Sequence, residues 1–335
     1  MKFKNLFITG GAGYVGSLLV PQLLKLGYKV TVFDPMYFGN DFFNLNDPNL
    51  NLIEGDIRNI KHLSNSLEGH DAVISLGCIS NDASFELNEE LSTSVNLDAF
   101  EPMVIAAKNA GIKRFIYASS SSVYGVSDQP EVKEDHPLVP VSLYNKYKGM
   151  CEPLLFKHQS ENFVCVTIRP ATLCGYAPRQ RMDLSVNILT NHAVNNKKIK
   201  VFGGEQLRPN LHIQDMCDLY KLLLDIDDKK IAGQIFNAGY ENQSILDIAN
   251  IVKKVVEQKY PEMGEISIEK SSSDDIRSYH INSDKIKDII GFVPKYTIED
   301  AVNDLCAAIK SKKIPNCFTD DIYFNVRQIK KLKVK

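Results

Sequence analysis

Tyr144 and Lys148 lie four residues apart in "YNKYK" (144–148), within a stretch, 142–160, whose apolar residues recur at three- and four-residue steps. On a helix that spacing sets both side chains on one face. An ammonium near a phenol lowers its pKa toward working pH, which makes the tyrosine usable as an acid and base. Tyr147 offers no such pair, because Cys151 and not a lysine stands four residues on. The serine run "SSSSVYG" (119–125) follows a strand-like segment, and its Tyr124 comes 20 residues before Tyr144. A hydroxyl at such a strand end, Ser120 for one, can hydrogen-bond the same substrate oxygen. Together these groups suit removal of a proton from a hydroxyl group. That step becomes an oxidation only if something nearby accepts a hydride.

An acceptor has a candidate site at the N-terminus. "FITGGAGYVGSLLV" (7–20) carries Gly10, Gly13 and Gly16 at three-residue steps, between an apolar strand-like run and a helical pattern. A phosphate-binding βα turn uses one glycine for the tight turn, one for backbone approach to the pyrophosphate and one for helix–strand packing. The helix N-terminus then presents free N–H donors and a positive dipole end. The run "KVTVF" leads into Asp34, 18 residues after Gly16, where a carboxylate can accept from a ribose hydroxyl. No arginine follows in "DPMYFGN", so a 2′-phosphate has no partner there and NAD is expected rather than NADP. "EGDIRN" (54–59) adds Asp56 at the end of a third strand-like run, as a ligand contact or as the N-cap of a helix over 59–67.

Bringing residues 10, 34, 56, 120 and 144 around one ligand requires their strand ends to lie side by side. Strand-like runs at 5–9, 29–33, 51–55, 72–76, 114–119 and 163–170 alternate with helical patterns at 14–26, 59–67, 89–110 and 142–160. Such alternation predicts an α/β fold, a Rossmann-type doubly wound parallel sheet with helices on both faces. Pro21 is expected to kink the first helix. After about residue 170 the rhythm loosens: helices near 183–194, 244–257 and 297–310 and a short strand near 266–268 are interspersed with the segments 198–204, 209–226 and 234–239. We expect an NAD-binding domain over 1–175, a smaller C-terminal α/β substrate lobe over 176–315 partly interwoven with it, and a tail over 316–335.

Composition narrows the partners. Lys+Arg number 39 against 41 for Asp+Glu, which leaves no basic surplus for nucleic acid or an anionic membrane. No apolar run reaches the roughly 18 residues of a membrane span, and the N-terminus enters a strand directly, so a cytoplasmic location is expected. Seven scattered cysteines without a C-x-x-C pair fit reduced thiols, and seven histidines without ligand spacing give no reason to expect a metal.

In these motifs the chain resembles the extended short-chain dehydrogenase/reductase family, in its nucleotide-sugar epimerase/dehydratase branch, over nearly its whole length to about residue 310. "TGGAGYVG" (9–16) is similar to that family's G-x-x-G-x-x-G turn, and "SLGC" (75–78) stands where it has a segment beside the nicotinamide ribose. "SVNLDAF" (94–100) resembles its Asn-bearing helix. "RPATLCG" (169–175) and "LRPNLHIQD" (207–215) are similar to its R-P-x-x-x-x-G and R-x-x-x-x-H-x-x-D signatures.

The resemblance implies a nucleoside-diphosphate sugar as substrate and NAD as cofactor. The cofactor contacts it implies are Gly10, Gly13, Tyr14, Val15, Gly16, Asp34, Asp56, Ile57, Leu76, Gly77, Cys78 and Asn96, joined by Tyr144 and Lys148. Deprotonated Tyr144 is to take the proton of a sugar hydroxyl while NAD⁺ takes the hydride from the same carbon. Lys148 is to lower the Tyr144 pKa and hold the nicotinamide ribose, and Ser120 to orient the hydroxyl. Ser80, Asn81, Ser121 and Ser122 are implied as sugar contacts, although the serines fit a strand terminus equally. Asn187, Arg208 and Arg277 are implied near the nucleotide and its pyrophosphate, where an arginine fork pairs two phosphate oxygens. Arg169, before Pro170, suits a structural role. A homodimer through counterparts of 89–110 and 142–160 is also implied.

Branches of that family share oxidation at the sugar carbon and differ in the next step. The 4,6-dehydratases carry an Asp-Glu pair directly after the catalytic Ser/Thr; here Ser121 and Ser122 stand instead. A hydroxyl ionising far above neutrality cannot serve as the acid and base of an elimination. Epimerisation needs no extra catalytic group, so the expectation is 4-epimerisation through a transient 4-keto sugar, with a non-epimerising C4 dehydrogenase or reductase as the alternative and oxidative decarboxylation behind them. A dinucleotide sensor without chemistry is disfavoured, because Tyr144 and Lys148 are both present.

Overall fold

Runs such as "NLFIT" and "RFIYA" are apolar on both faces, which suits strands covered by helices on either side. The computed structural model describes residues 2–127, 129, 131–272, 278 and 280–334 and contains twelve strands. The first six are β1 (Asn5–Thr9), β2 (Lys29–Asp34), β3 (Leu50–Glu54), β4 (Ala72–Ser75), β5 (Arg114–Ala118) and β6 (Val164–Pro170). There follow β7 (Thr172–Cys174), β8 (Lys198–Phe202), β9 (Leu207–His212), β10 (Gln234–Ala238), β11 (Glu241–Ser244) and β12 (Ser267–Ser271). Seven of them form one parallel sheet in the order β10-β6-β5-β4-β1-β2-β3. The strand order reverses between β1 and β4, and the crevice outside such a reversal is where open α/β sheets bind ligands.

Period-2 alternation sorts the sheet residues onto two cores. Leu6, Ile8, Val32, Ile74, Ile116 and Val166 enter one, and Phe7, Phe33, Val73, Phe115 and Cys165 the other. The first core also takes Leu219, Leu223 and Leu224 from the helix Ile213–Asp225, and β10 pairs with β6. Segments beyond residue 175 are thus built into the first sheet. A third core joins Val186, Ile199, Val201, Ile248, Val252 and Val302, next to the small sheets β11-β9-β7 and β12-β8.

Two helical expectations change. The helix Tyr14–Lys25 runs unbroken through Pro21, with Leu19, Val20 and Leu23 fully buried around it. The stretch 89–110 divides into Glu89–Thr93, a widened π-type turn over Ser94–Asp98, and Phe100–Asn109. β7, β11 and the helices Asp82–Phe85, Asp284–Ile290 and Asn325–Leu332 have no counterpart in the sequence reading. The last of these falls in the expected tail and packs back over the site.

Candidate active site

A cavity of about 1120 Å³ opens at the C-terminal ends of β1, β2, β4 and β5. Its first wall is the glycine turn. Gly10 has φ 68°, and a Cβ there would lie 2.5 Å from the Gly77 nitrogen, so the ends of β1 and β4 meet through hydrogen only. A Cβ on Gly16 would fall 2.0 Å from the Gly11 carbonyl oxygen; Gly16 packs the turn against its helix and lies behind the wall. Gly13 is the N-cap without a side-chain bond, and with Tyr14 and Val15 it borders the cavity. First-turn N–H donors left uncapped in this way suit a phosphate.

Asp34 is buried at the end of β2, where its carboxylate accepts from Ala12 N at 3.1 Å and Met36 N at 2.8 Å. Burial raises its pKa, and those two N–H groups pull it back. The open donors and this buried carboxylate fit the phosphates and ribose of a dinucleotide. Asp56 and Ile57 share the wall. Although burial disfavours its charge, the Arg58 guanidinium on Asp56 holds its carboxyl below the ordinary range. The helix Ile60–Leu67 is capped by Asn59, which accepts from His62 N, so Asp56 is not the cap. Leu76, Gly77 and Cys78 complete this side. Asn96 stands behind them on the π-type turn, and its amide holds the N–H and the carbonyl of Ile79 at 2.8 and 2.9 Å.

The reacting centre lies where β5 ends. Ser142 caps the helix Leu143–Phe156, and Tyr144 in its first turn faces the cavity with Ser120, Ser121 and Ser122. Ser120 and Ser122 hydroxyls are 2.7 Å apart, and Ser122 in turn donates to Asn145 Oδ1. Lys148 is buried one turn on from Tyr144. Its ammonium donates to the Ala118 carbonyl at 2.7 Å, and it lies behind the cavity wall rather than on it. The Tyr144 pKa is raised, not lowered: burial dominates, with Cys78 and Asp82 adding to it. The cation that draws the phenol back toward ionisation is Arg181.

Toward the substrate end, Ser80, Asn81 and Arg208 border the same cavity. Asn187 does not. Fully buried, it accepts from Gly175 N and donates to Tyr14 Oη at 3.1 Å and the Arg181 carbonyl at 2.8 Å. Those contacts brace the β7 exit against the glycine-turn helix. Arg277 lies outside the described residues. Arg169 pairs with Glu152 at 2.6 Å in the interior, a structural contact.

The polar wall residues that the sequence reading missed include Arg179, Arg181, Asp183 and Asn325. Arg181 donates to Asp183 at 2.9 Å and to Ser80 at 3.4 Å. "PRQRMD" (178–183) sets two arginines and an aspartate beside a helix start, and that charge cluster was the available signal. Among the described residues no group of three or more His, Cys, Asp or Glu is placed to hold a metal. All seven cysteines are free thiols. No helix among the described residues is long and apolar enough to cross a membrane.

Comparison with known proteins agrees with this geometry. The profile of the "NAD dependent epimerase/dehydratase family" matches residues 6–239. A UDP-glucose 4-epimerase from Lacticaseibacillus casei is 26% identical over 314 residues, covering 88% of this chain and 93% of its own. A dTDP-glucose 4,6-dehydratase from Actinoplanes sp. is 25% identical over 325 residues, covering 92% and 98%. The structure of a UDP-glucuronic acid 4-epimerase from Bacillus cereus, in complex with UDP-glucuronic acid and NAD, superimposes with a TM-score of 0.80 at 26% identity. It covers 92% of this chain and 99% of that one. Identities of 25% and 26% do not separate an epimerase from a dehydratase.

Proposed function

Because the chain belongs to the NAD dependent epimerase/dehydratase family, we propose that it is an NAD-dependent nucleotide-sugar epimerase that inverts C4 through a transient 4-keto sugar. One observation carries this reading. Tyr144 and Ser120 face the same cavity as the glycine turn, while the two positions after Ser120 supply hydroxyls and no carboxylate.

NAD, when bound, supplies a hydride acceptor and donor. The Tyr144 phenolate takes the C4 hydroxyl proton, with Ser120 holding that oxygen in line. The Arg181 guanidinium stabilises the phenolate against the cost of burial. Once the keto sugar has turned over, Tyr144 returns the proton to the oxygen presented on the other face. The cavity of about 1120 Å³ is lined at one end by the glycine turn and at the other by Ser80, Asn81 and Arg208, so cofactor and sugar share it. Ser121 and Ser122 offer no group acidic enough to carry an elimination onward.

The test is incubation with UDP-, GDP- and dTDP-sugars and NMR of the products. A C4-inverted sugar is expected. A keto sugar with accumulating NADH overturns the reading in favour of a dehydrogenase, and a 4-keto-6-deoxy sugar in favour of a dehydratase. We further propose a homodimer through the helices Phe100–Asn109 and Leu143–Phe156, on which Ile105, Leu143 and Met150 are exposed apolar residues. Sedimentation at a monomer mass over the working concentration range overturns it.

A further inference from the structure

Arg179 is a buried cation that takes no part in the proton and hydride transfers. Its backbone N–H donates to Ser17 Oγ at 3.0 Å, which sets the residue against the first turn of the glycine-turn helix. Its guanidinium carbon lies 3.5 Å from the centre of the Phe38 ring, four residues past Asp34. Nη2 donates to Asn325 Oδ1 at 2.5 Å, while Nε is buried without a partner. Only 4% of the residue is exposed, and among the described residues no carboxylate forms an ion pair with it. Burial, with Arg181 as a second cation nearby, pulls its pKa down to about 9 against the opposing pull of Asp183 and Asp34. An arginine kept this dry, with Asp183 and Asp34 near it but neither in ion-pair contact, is costly unless a ligand brings an anion into direct reach.

Asn325 comes from the far end of the chain. It begins the helix Asn325–Leu332, and Asn325, Val326 and Ile329 close one side of the cavity. The Asn325 amide also donates to Ser80 Oγ at 2.7 Å, and its backbone N–H to Asp183 at 3.0 Å. One turn on, Gln328 donates to the Tyr37 carbonyl at 2.8 Å, just past Asp34. Before the helix, the Asn191 amide donates to the Cys317 carbonyl at 3.0 Å and Met182 N–H to the Tyr323 carbonyl at 2.8 Å. The segment is therefore laced to the loop after β2 on one side and to residues 179–191 on the other.

We propose that Arg179 is the cation that pairs with the pyrophosphate of the bound dinucleotide, and that the C-terminal segment, through Asn325, aims it and closes the cleft over the cofactor. The turn at 10–16 supplies neutral N–H donors to the phosphates; Arg179 adds a charge and a planar fork from the opposite wall. Asn325 is a positioning residue. Its carbonyl fixes one arm of the fork, and its helix takes the place of solvent above it. This assignment rests on NAD dependence and not on which sugar carbon is inverted.

Calorimetric titration of the full chain with NAD, ADP and adenosine tests it. Arg179→Met is expected to weaken NAD and ADP binding by at least about tenfold and to leave adenosine unchanged. Asn325→Ala and Gln328→Ala are expected to raise the NAD dissociation rate several-fold. Unaltered ADP affinity in Arg179→Met overturns the assignment, and so does an equal loss for ADP and adenosine. If Arg179→Met does not fold, Arg179→Lys replaces the fork by a point charge and is expected to weaken ADP selectively; wild-type ADP affinity there overturns the proposal. Unchanged NAD release in both Asn325→Ala and Gln328→Ala overturns the closing role of the segment. No sugar enters these titrations, so their failure and the failure of the epimerase reading are separate results.

Discussion

The two ends of the cavity are held by different kinds of contact. At the dinucleotide end the wall that the ligand first meets is backbone and local: seven residues from Gly10 to Gly16, and a carboxylate gripped by the N–H groups of Ala12 and Met36. At the sugar end the determinants are side chains brought from afar, and Ser80 and Arg181, 101 positions apart, share a hydrogen bond. Backbone geometry admits few alternatives, whereas a wall of side chains can change one residue at a time. A family can therefore keep one cofactor while its substrates and reactions diverge.

Variants can break or sharpen that contrast. Tyr144→Phe removes the proton acceptor, and turnover is expected to fall by about 10²–10⁴; NAD titration of the same variant should match wild type. Arg169→Met leaves Glu152 buried without its partner, under both regions and part of neither. We expect a loss of about 3–5 kcal/mol in urea unfolding, with a KM for the nucleotide sugar close to wild type. Gly16→Ala forces a methyl against the Gly11 carbonyl and should cost about 1–3 kcal/mol together with weaker NAD binding. Wild-type NAD affinity in that variant would refute the steric account of the dinucleotide end. Arg181→Met withdraws the cation facing Tyr144. Because the phenolate is the active base and its pKa already stands above the ordinary value, the rising limb of kcat/KM against pH should move about one unit further up. A limb that stays in place removes Arg181 from the reacting centre. Smallest of all in its effect on turnover, Ser122→Ala loses the hydroxyl's hydrogen bonds to Ser120 and Asn145, each worth about 0.5–1.5 kcal/mol, and should appear in kcat.

Legibility in the sequence divides along the same line. The glycine turn, Asp34, Ser120 and Tyr144 could be placed because each sits at a strand end or on a helix face that local spacing defines. Spacing gave the face of Lys148 but not the reach of its side chain, which turns to the Ala118 carbonyl. Asn187 falls on the first turn of the helix Ser185–Asn196, and only the tertiary fold decides that it points at Gly175. Periodicity carries across the π-type turn at 94–98, so the break in 89–110 left no trace. Arg179 and Asn325 could not be paired in advance, because no local pattern links positions so distant.

The strand β10 has a consequence for how the molecule is made. β6 ends at Pro170, and the neighbour that covers its edge begins only at Gln234. Throughout synthesis of the intervening residues, Val164, Val166 and Ile168 sit on an open strand edge, the kind that recruits another chain. A fragment cut near residue 175 keeps that edge permanently, whereas one reaching Gly239 brings its own seal. The sheet is a late closure, and a nascent chain stalled in between is the form most in need of a chaperone.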